Sequence, residues 1–223
     1  MFFWGETVLA WDVEGTIRVN GTPKPRYGGV RPEERQICGG MVKQMEDLMA
    51  GPGGELKNAV VWVEGEMKAA DMQLAEEALN QGVPLIDQVK CQYTPRVVLV
   101  PPGGQVIFKS SDSTIHNVAG FLPTGKNAFD MMLKDPSQFI QRRFTEPGPH
   151  YMRCGFHPWM GAVVFVRSHP FYAITDEKGR YKISGLRAGN YRLKVWHETL
   201  GEREAAVTPS RAQVNVLYDR PKK

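Results

Sequence analysis

Cysteine is scarce in this chain: Cys38, Cys91 and Cys154 are all that its 223 residues hold. Three cannot build the dense disulfide scaffold of a small secreted domain, so the fold must rest on a hydrophobic core. Long apolar runs are missing too. No stretch approaches the roughly 18 apolar residues that a helix needs to cross a bilayer, which excludes helical membrane spans. Runs of five or six Lys or Arg are also absent, and the formal charge of +4 is spread along the chain, so nothing announces a nucleic-acid partner. A mildly basic surface of this kind instead suits the steering of an acidic protein partner. No zinc-peptidase motif occurs.

What is present is turn-forming and strand-forming. With 23 Gly and 16 Pro among short Val, Ile and Tyr runs, and 42% hydrophobic residues, the composition predicts an all-β protein with one or two short helices. Val13 to Val19 alternates and breaks at Asn20-Gly21, a strand and a tight turn. Ile37, Met41, Met45 and Leu48 recur at helical spacing between Pro32 and Gly51, which predicts an amphipathic helix over Pro32 to Met49. Leu56 to Val63 reads as a strand and Met67 to Asn80 as a helix. From Leu85 the pattern is β throughout, by way of Arg96 to Val100, the turn Pro101 to Gly104, Gln105 to Lys109, Ser110 to Val118, Ser137 to Phe144, Tyr151 to Cys154 and Gly161 to Val166. Further short strands follow from Ala173 to Val195 and from Ala212 to Tyr218. The early strands have no sheet nearby in sequence, and pairing them with the late ones is the economical solution. Residues 11–66 and 169–218 are thus expected to form one small sandwich, with a second sandwich, residues 83–168, inserted into it. The apolar stretch Met1 to Ala10 reads either as the end of an export leader lacking its basic start or as an N-terminal strand.

The chemistry concentrates in Tyr151-Met-Arg-Cys-Gly-Phe-His-Pro-Trp-Met160, where Cys154, His157 and Met160 place a thiolate, an imidazole and a thioether within seven residues. His116 lies 38 residues upstream of Cys154, beside a strand pattern, and completes two imidazoles, one thiolate and a weak axial thioether. That donor set suits a mononuclear copper ion that exchanges single electrons. A structural zinc site would draw four Cys or His ligands rather than end in Met. A Cys154-His nucleophilic dyad leaves Met160 and His116 without a purpose. Asn117, directly after His116, is expected to hydrogen-bond across to the Cys154 loop, and Pro158 and Trp159 to shield an exposed edge of His157. With Cys154 on the metal, Cys38 and Cys91 remain; an even remainder reads as one disulfide in an oxidising compartment, two buried thiols being the other reading. His150, His169 and His197 receive no role, and Trp196-His197-Glu198 is a faint hint of a second metal.

The run Cys154-Gly-Phe-His157-Pro-Trp-Met160, with His116-Asn117 upstream, resembles the short copper loop of the cupredoxins, most closely that of amicyanin-like proteins. The resemblance covers residues 83–168. It implies a Greek-key β-sandwich, one type 1 (blue) copper held by His116, Cys154, His157 and Met160, and a periplasmic carrier of single electrons whose partner is a redox protein such as a c-type cytochrome or an oxidoreductase. Periplasmic copper delivery through the same ligands is the competing function. Multicopper enzymes need H-x-H pairs and none occurs, so the chain is not expected to be an enzyme. Thr175-Asp-Glu-Lys-Gly-Arg-Tyr181, Gly185-Leu186 and Gly189-Asn-Tyr191, with the early Gly15-Thr-Ile-Arg-Val19 and Asn58-Ala-Val-Val-Trp-Val63, are similar to carboxypeptidase regulatory-like domains, accessory sandwiches of the transthyretin-like class.

Overall fold

A computed structural model describes residues 10–65, 77, 82–168, 171–187 and 189–220. The protein is all-β, and among the described residues the one complete α-helix is the short Arg35–Cys38. The helix expected over Met67 to Asn80 lies outside the described residues apart from Glu77, which is helical, and so do Met1 to Leu9 and His169. Two compact units divide the chain, the first drawing on residues 10–23, 48–65 and 171–220, the second on residues 24–47 and 82–168.

The first unit is a small sandwich. One sheet carries Arg180–Leu186, Trp11–Val19 and Val216–Tyr218 in that order; the other carries Tyr172–Ile174, Val60–Glu64, Tyr191–His197 and Gly201–Val207. Period-two alternation decides which side chains meet between them. Val13, Ile17 and Val19 from the first sheet share a core with Val61, Val63, Leu193 and Val195 from the second. Tyr218 closes it, fully buried, its hydroxyl donating to Val195 O at 2.9 Å and placed 3.0 Å from Gly201 O.

The second unit packs a five-stranded sheet, ordered Asn127–Leu133, His116–Phe121, Gly148–Arg153, Gly161–Val166 and Val97–Val100, on a four-stranded sheet of Phe139–Phe144, Gly104–Ser110, Leu85–Gln88 and Tyr93–Thr94. Neighbours far apart in sequence, including the parallel pair Gly161–Val166 with Val97–Val100, show that the chain crosses between sheets rather than meandering. Val106, Phe108, Ile140 and Phe144 face Val118, Leu133, Met152 and Val164 across one core.

Residues 24–47 depart from the expected boundary, which had assigned them to the sandwich of residues 11–66. They belong to the second unit, where Val30 and Cys38 enter its core and Ile37 and Met45 pack against it. The amphipathic helix expected over Pro32 to Met49 is not formed. Helical structure spans only the 3-10 turn Pro32–Glu34 and Arg35–Cys38, because Gly39 and Gly40 take φ of 78° and 150°, conformations that end a helix. Val42–Gln44 then turns back as a strand against Tyr27–Gly29. Asn127–Leu133 is a strand that sequence reading passed over; it lies at a sheet edge and most of its side chains are exposed or half-buried.

Tyr218→Phe should lower stability by about 1–3 kcal/mol, because a buried carbonyl loses its donor. Urea unfolding followed by far-UV circular dichroism measures it, and an unchanged midpoint would show that the hydroxyl is not holding the two strands.

Candidate metal centre

Antiparallel pairing brings the site together. Gly148–Arg153 runs against His116–Phe121 with Arg153 opposite Ala119, so the chain leaving Arg153 delivers Cys154 beside the start of the other strand, where His116 and Asn117 stand. The Cys154 to Met160 loop folds back on itself: Met160 N–H donates to His157 O at 2.9 Å and Cys154 N–H to Met160 O at 3.4 Å. Asn117 reaches this loop, its Oδ1 accepting from Gly155 N–H at 2.6 Å while its Nδ2 donates to Asp130 at 2.6 Å.

The donor atoms converge. His116 Nδ1 and His157 Nδ1 are 3.0 Å apart, and Cys154 Sγ lies 3.8 Å from the first and 3.7 Å from the second. A triangle with these sides has its centre about 2 Å from each corner, the length of metal–imidazole and metal–thiolate bonds. His116, Cys154, His157 and Met160 are all buried. A cation therefore fits between the three atoms with little rearrangement, and the mixture of thiolate, imidazole and a nearby thioether favours copper among first-row metals.

Sequence reading missed the groups that orient the imidazoles. His116 Nε2 is 2.9 Å from Asp112 Oδ2, and His157 Nε2 is 3.2 Å from Glu34 Oε2. Each carboxylate accepts a hydrogen bond from Nε2–H and so leaves Nδ1 turned toward the centre, as outer partners of metal-binding histidines do. Asp112 is itself held by the backbone N–H groups of Lys90 and Cys91 at 2.6 and 2.7 Å, and Glu34 by Arg31 and Thr114. Neither Glu34 nor Asp112 had a signal in the sequence beyond being acidic.

Charge follows from these contacts. Burial pushes the Cys154 thiol up, but hydrogen bonds from His116 and His157 and from the backbone of Asn117 and Phe156 outweigh it and bring it down to about 6. Burial disfavours the imidazolium of His116, yet Asp112 and Cys154 raise it to about 9. Glu34, despite burial, is lowered to about 2 by Arg31, His157 and Thr114. Without a metal these contacts favour the thiolate form of Cys154 and the protonated form of His116, and metal binding would release that proton. Tyr93, buried against Cys154 and raised by both burial and that charge, stays a phenol and donates to Asn117 O at 2.9 Å.

Two expectations about surroundings change. His157 has no exposed edge, since its relative exposure is 0% and Glu34 covers Nε2. Trp159 is buried as well, its ring tilted against that of His157 with centroids 5.1 Å apart and its Nε1–H donating to Cys91 O at 2.8 Å. Exposed apolar residues beside the donors include Ile115, Phe156 and Pro158. Cys38 and Cys91 form a disulfide, with Cα atoms 4.9 Å apart, and leave Cys154 as the free thiol. Among the described residues, the groups of three possible ligands draw on Cys38, Cys91, Asp112, His116, Cys154 and His157; the sulfurs of the first two are bonded to each other. His150 and His197 join none of these groups: His150 Nε2 donates to Glu146 O, and His197 Nδ1 accepts from Thr199 N–H.

Neither a family model nor a curated protein matches the sequence. Among solved structures the chain is similar to a purple cupredoxin from Nitrosopumilus maritimus, at 25% identity over 38% of this chain and 99% of that one, with a TM-score of 0.34. It is also similar to a reduced Cu(I) form of an amicyanin variant, at 27% identity over 39% of this chain and 84% of that one, TM-score 0.35. A copper-containing nitrite reductase from Thermus scotoductus matches at 22% identity over 39% of this chain and 22% of that one, TM-score 0.35.

Thiol titration of denatured, unreduced protein should find one reactive thiol, and peptide mapping should join the Cys38 and Cys91 peptides. Three free thiols would remove the disulfide from the structure.

Proposed function

We propose that His116, Cys154, His157 and Met160 hold one copper ion of the blue-copper type, and that the protein passes single electrons between redox partners. The observation that carries this reading is the buried triangle of Cys154 Sγ and the two Nδ1 atoms, with sides of 3.0, 3.7 and 3.8 Å. Bound there, copper would supply a reversible one-electron couple. The residues' part is to keep the same donor positions in both oxidation states. Paired strands fix His116 and Cys154, and Asn117 ties the Cys154 loop by its hydrogen bond to Gly155. Burial excludes water from the thiolate, and Met160 is read as the weak axial donor.

A carrier of this kind needs no substrate cavity, and we read the chain as a non-enzyme. The exposed side chains of Ile115 and Phe156, each adjacent in sequence to a donor residue, support docking of a redox partner such as a c-type cytochrome or an oxidoreductase over this end of the sandwich. Copper delivery with the same ligands is the competing reading; full burial of His116 and His157 favours retention over release. The Cys38–Cys91 disulfide suits an oxidising, periplasmic setting. The first unit is read as a carboxypeptidase regulatory-like accessory sandwich.

One equivalent of Cu(II) added to the purified protein should produce an intense visible thiolate-to-copper band that ascorbate bleaches and re-oxidation restores. Cys154→Ser should abolish the band while the protein stays folded. A wild-type protein with reduced Cys154 that stays colourless would overturn the electron-carrier reading.

A further inference from the structure

The two carboxylates that hold the imidazoles meet opposite ends of one disulfide, Glu34 through the chain that leads to Cys38 and Asp112 through a hydrogen bond from Cys91 N–H. Glu34 ends the 3-10 turn Pro32–Glu34, and the helix that continues from it, Arg35–Cys38, ends at the cysteine bonded to Cys91. On the far side of the disulfide, Lys90 and Cys91 point successive N–H groups at Asp112. Both residues take φ of 50° and 55°, a left-handed conformation that residues other than glycine rarely adopt and that persists only when its surroundings demand it. Two successive N–H groups in this arrangement form a concave donor pair that binds an anion, and the anion here is the Asp112 carboxylate. The connection runs from His157 through Glu34, Cys38, Cys91 and Asp112 to His116, and so closes a ring around the donor triangle.

Packing supports the same reading. Glu34 is 96% buried, with a relative exposure of 4%, although it comes from residues 24–47, outside both sheets of the unit. Gly28, on the ribbon of that segment, lies against the Trp159 indole so closely that a Cβ would run into the ring, and Trp159 in turn donates to Cys91 O. The segment is seated on the His157 side of the site, not looped loosely past it.

We propose that Glu34 and Asp112, joined through the Cys38–Cys91 disulfide, form a rigid outer frame that positions both imidazoles, Glu34 being the positioning residue for His157. What this says about metal affinity rests on the copper reading above. What it says about closure of the site does not. The disulfide then serves the site's geometry and not merely the stability of the chain.

The test uses the 223-residue wild type, Glu34→Ala, Glu34→Gln and the double variant Cys38→Ser/Cys91→Ser, with two measurements: Cu(II) affinity by chelator competition, and the rate of Cys154 alkylation by iodoacetamide in the metal-free protein. Glu34→Ala should weaken Cu(II) binding about 10–100-fold, the range for loss of an outer partner of a metal-binding histidine, and should speed alkylation severalfold. Glu34→Gln, whose amide oxygen still accepts from Nε2–H, should recover most of both. The double serine variant should weaken binding about tenfold while folded, a change that a disulfide acting only on the unfolded chain would not produce. Folded Glu34→Ala and double serine variants with wild-type affinity and alkylation rates would overturn the frame. If Glu34→Ala fails to fold, the double serine variant decides by the same two readings. Wild type that takes up no copper would sink the copper reading alone, and the alkylation rates would still decide the frame.

Discussion

Three electron-rich atoms, Cys154 Sγ and the Nδ1 atoms of His116 and His157, are held within 3.8 Å of one another and away from water. Lone pairs so placed repel unless a positive charge stands among them, and burial removes the solvent that would otherwise screen them. Much of the second unit can be understood from that constraint. The carboxylates of Asp112 and Glu34 turn the rings so that the lone pairs face inward, and Asn117 braces the thiolate loop. The paired strands His116–Phe121 and Gly148–Arg153 make the approach a property of sheet register instead of flexible side chains. A proton meets the charge requirement in part, since it joins only two of the atoms in a line. A metal ion meets it for all three.

The donors themselves were legible because their residue types are scarce. One of three cysteines, with a histidine and a methionine in the next six residues, leaves few competing explanations. The strands were legible through alternation, as in Val13 to Val19, or through short apolar runs, as in Gly161 to Val166, both backed by turn residues. Glu34 and Asp112 were not, because they are two of 24 acidic residues and their importance is created by tertiary contact alone. The edge strand Asn127–Leu133 escaped notice for a related reason: it buries little, so burial wrote no pattern into it. Residues 24–47 misled twice. Their apolar spacing imitates a helix that Gly39 and Gly40 stop, and their nearness in sequence to Trp11–Val19 suggested a sheet that they do not join. The burial of His157 is illegible in the sequence for the same reason, since the covering residue, Glu34, belongs to that segment.

The two cores differ in what they ask of the chain. In the second unit the metal-ligand candidates lie within the sheets or on short links between them, Glu34 alone reaching them from residues 24–47, so packing around Phe108, Val118 and Met152 fixes their positions as it fixes the fold. Close packing of this kind resists small displacements, as the proposed exchange of single electrons at this site requires.

The first unit carries a different consequence, and it concerns order in time. Its strand Trp11–Val19 pairs in parallel with Val216–Tyr218, with Ile17 opposite Val216, and nearly the whole chain separates the two. Contacts of such long sequence separation form slowly, because a large loop must close first. During synthesis, domains fold as their residues become available, and residues 24–47 and 82–168 are complete before Val216 emerges. The second unit therefore has all its described strands while the first is still missing one, and Trp11–Val19 must wait with an unpaired edge until Val216 to Tyr218 has been made.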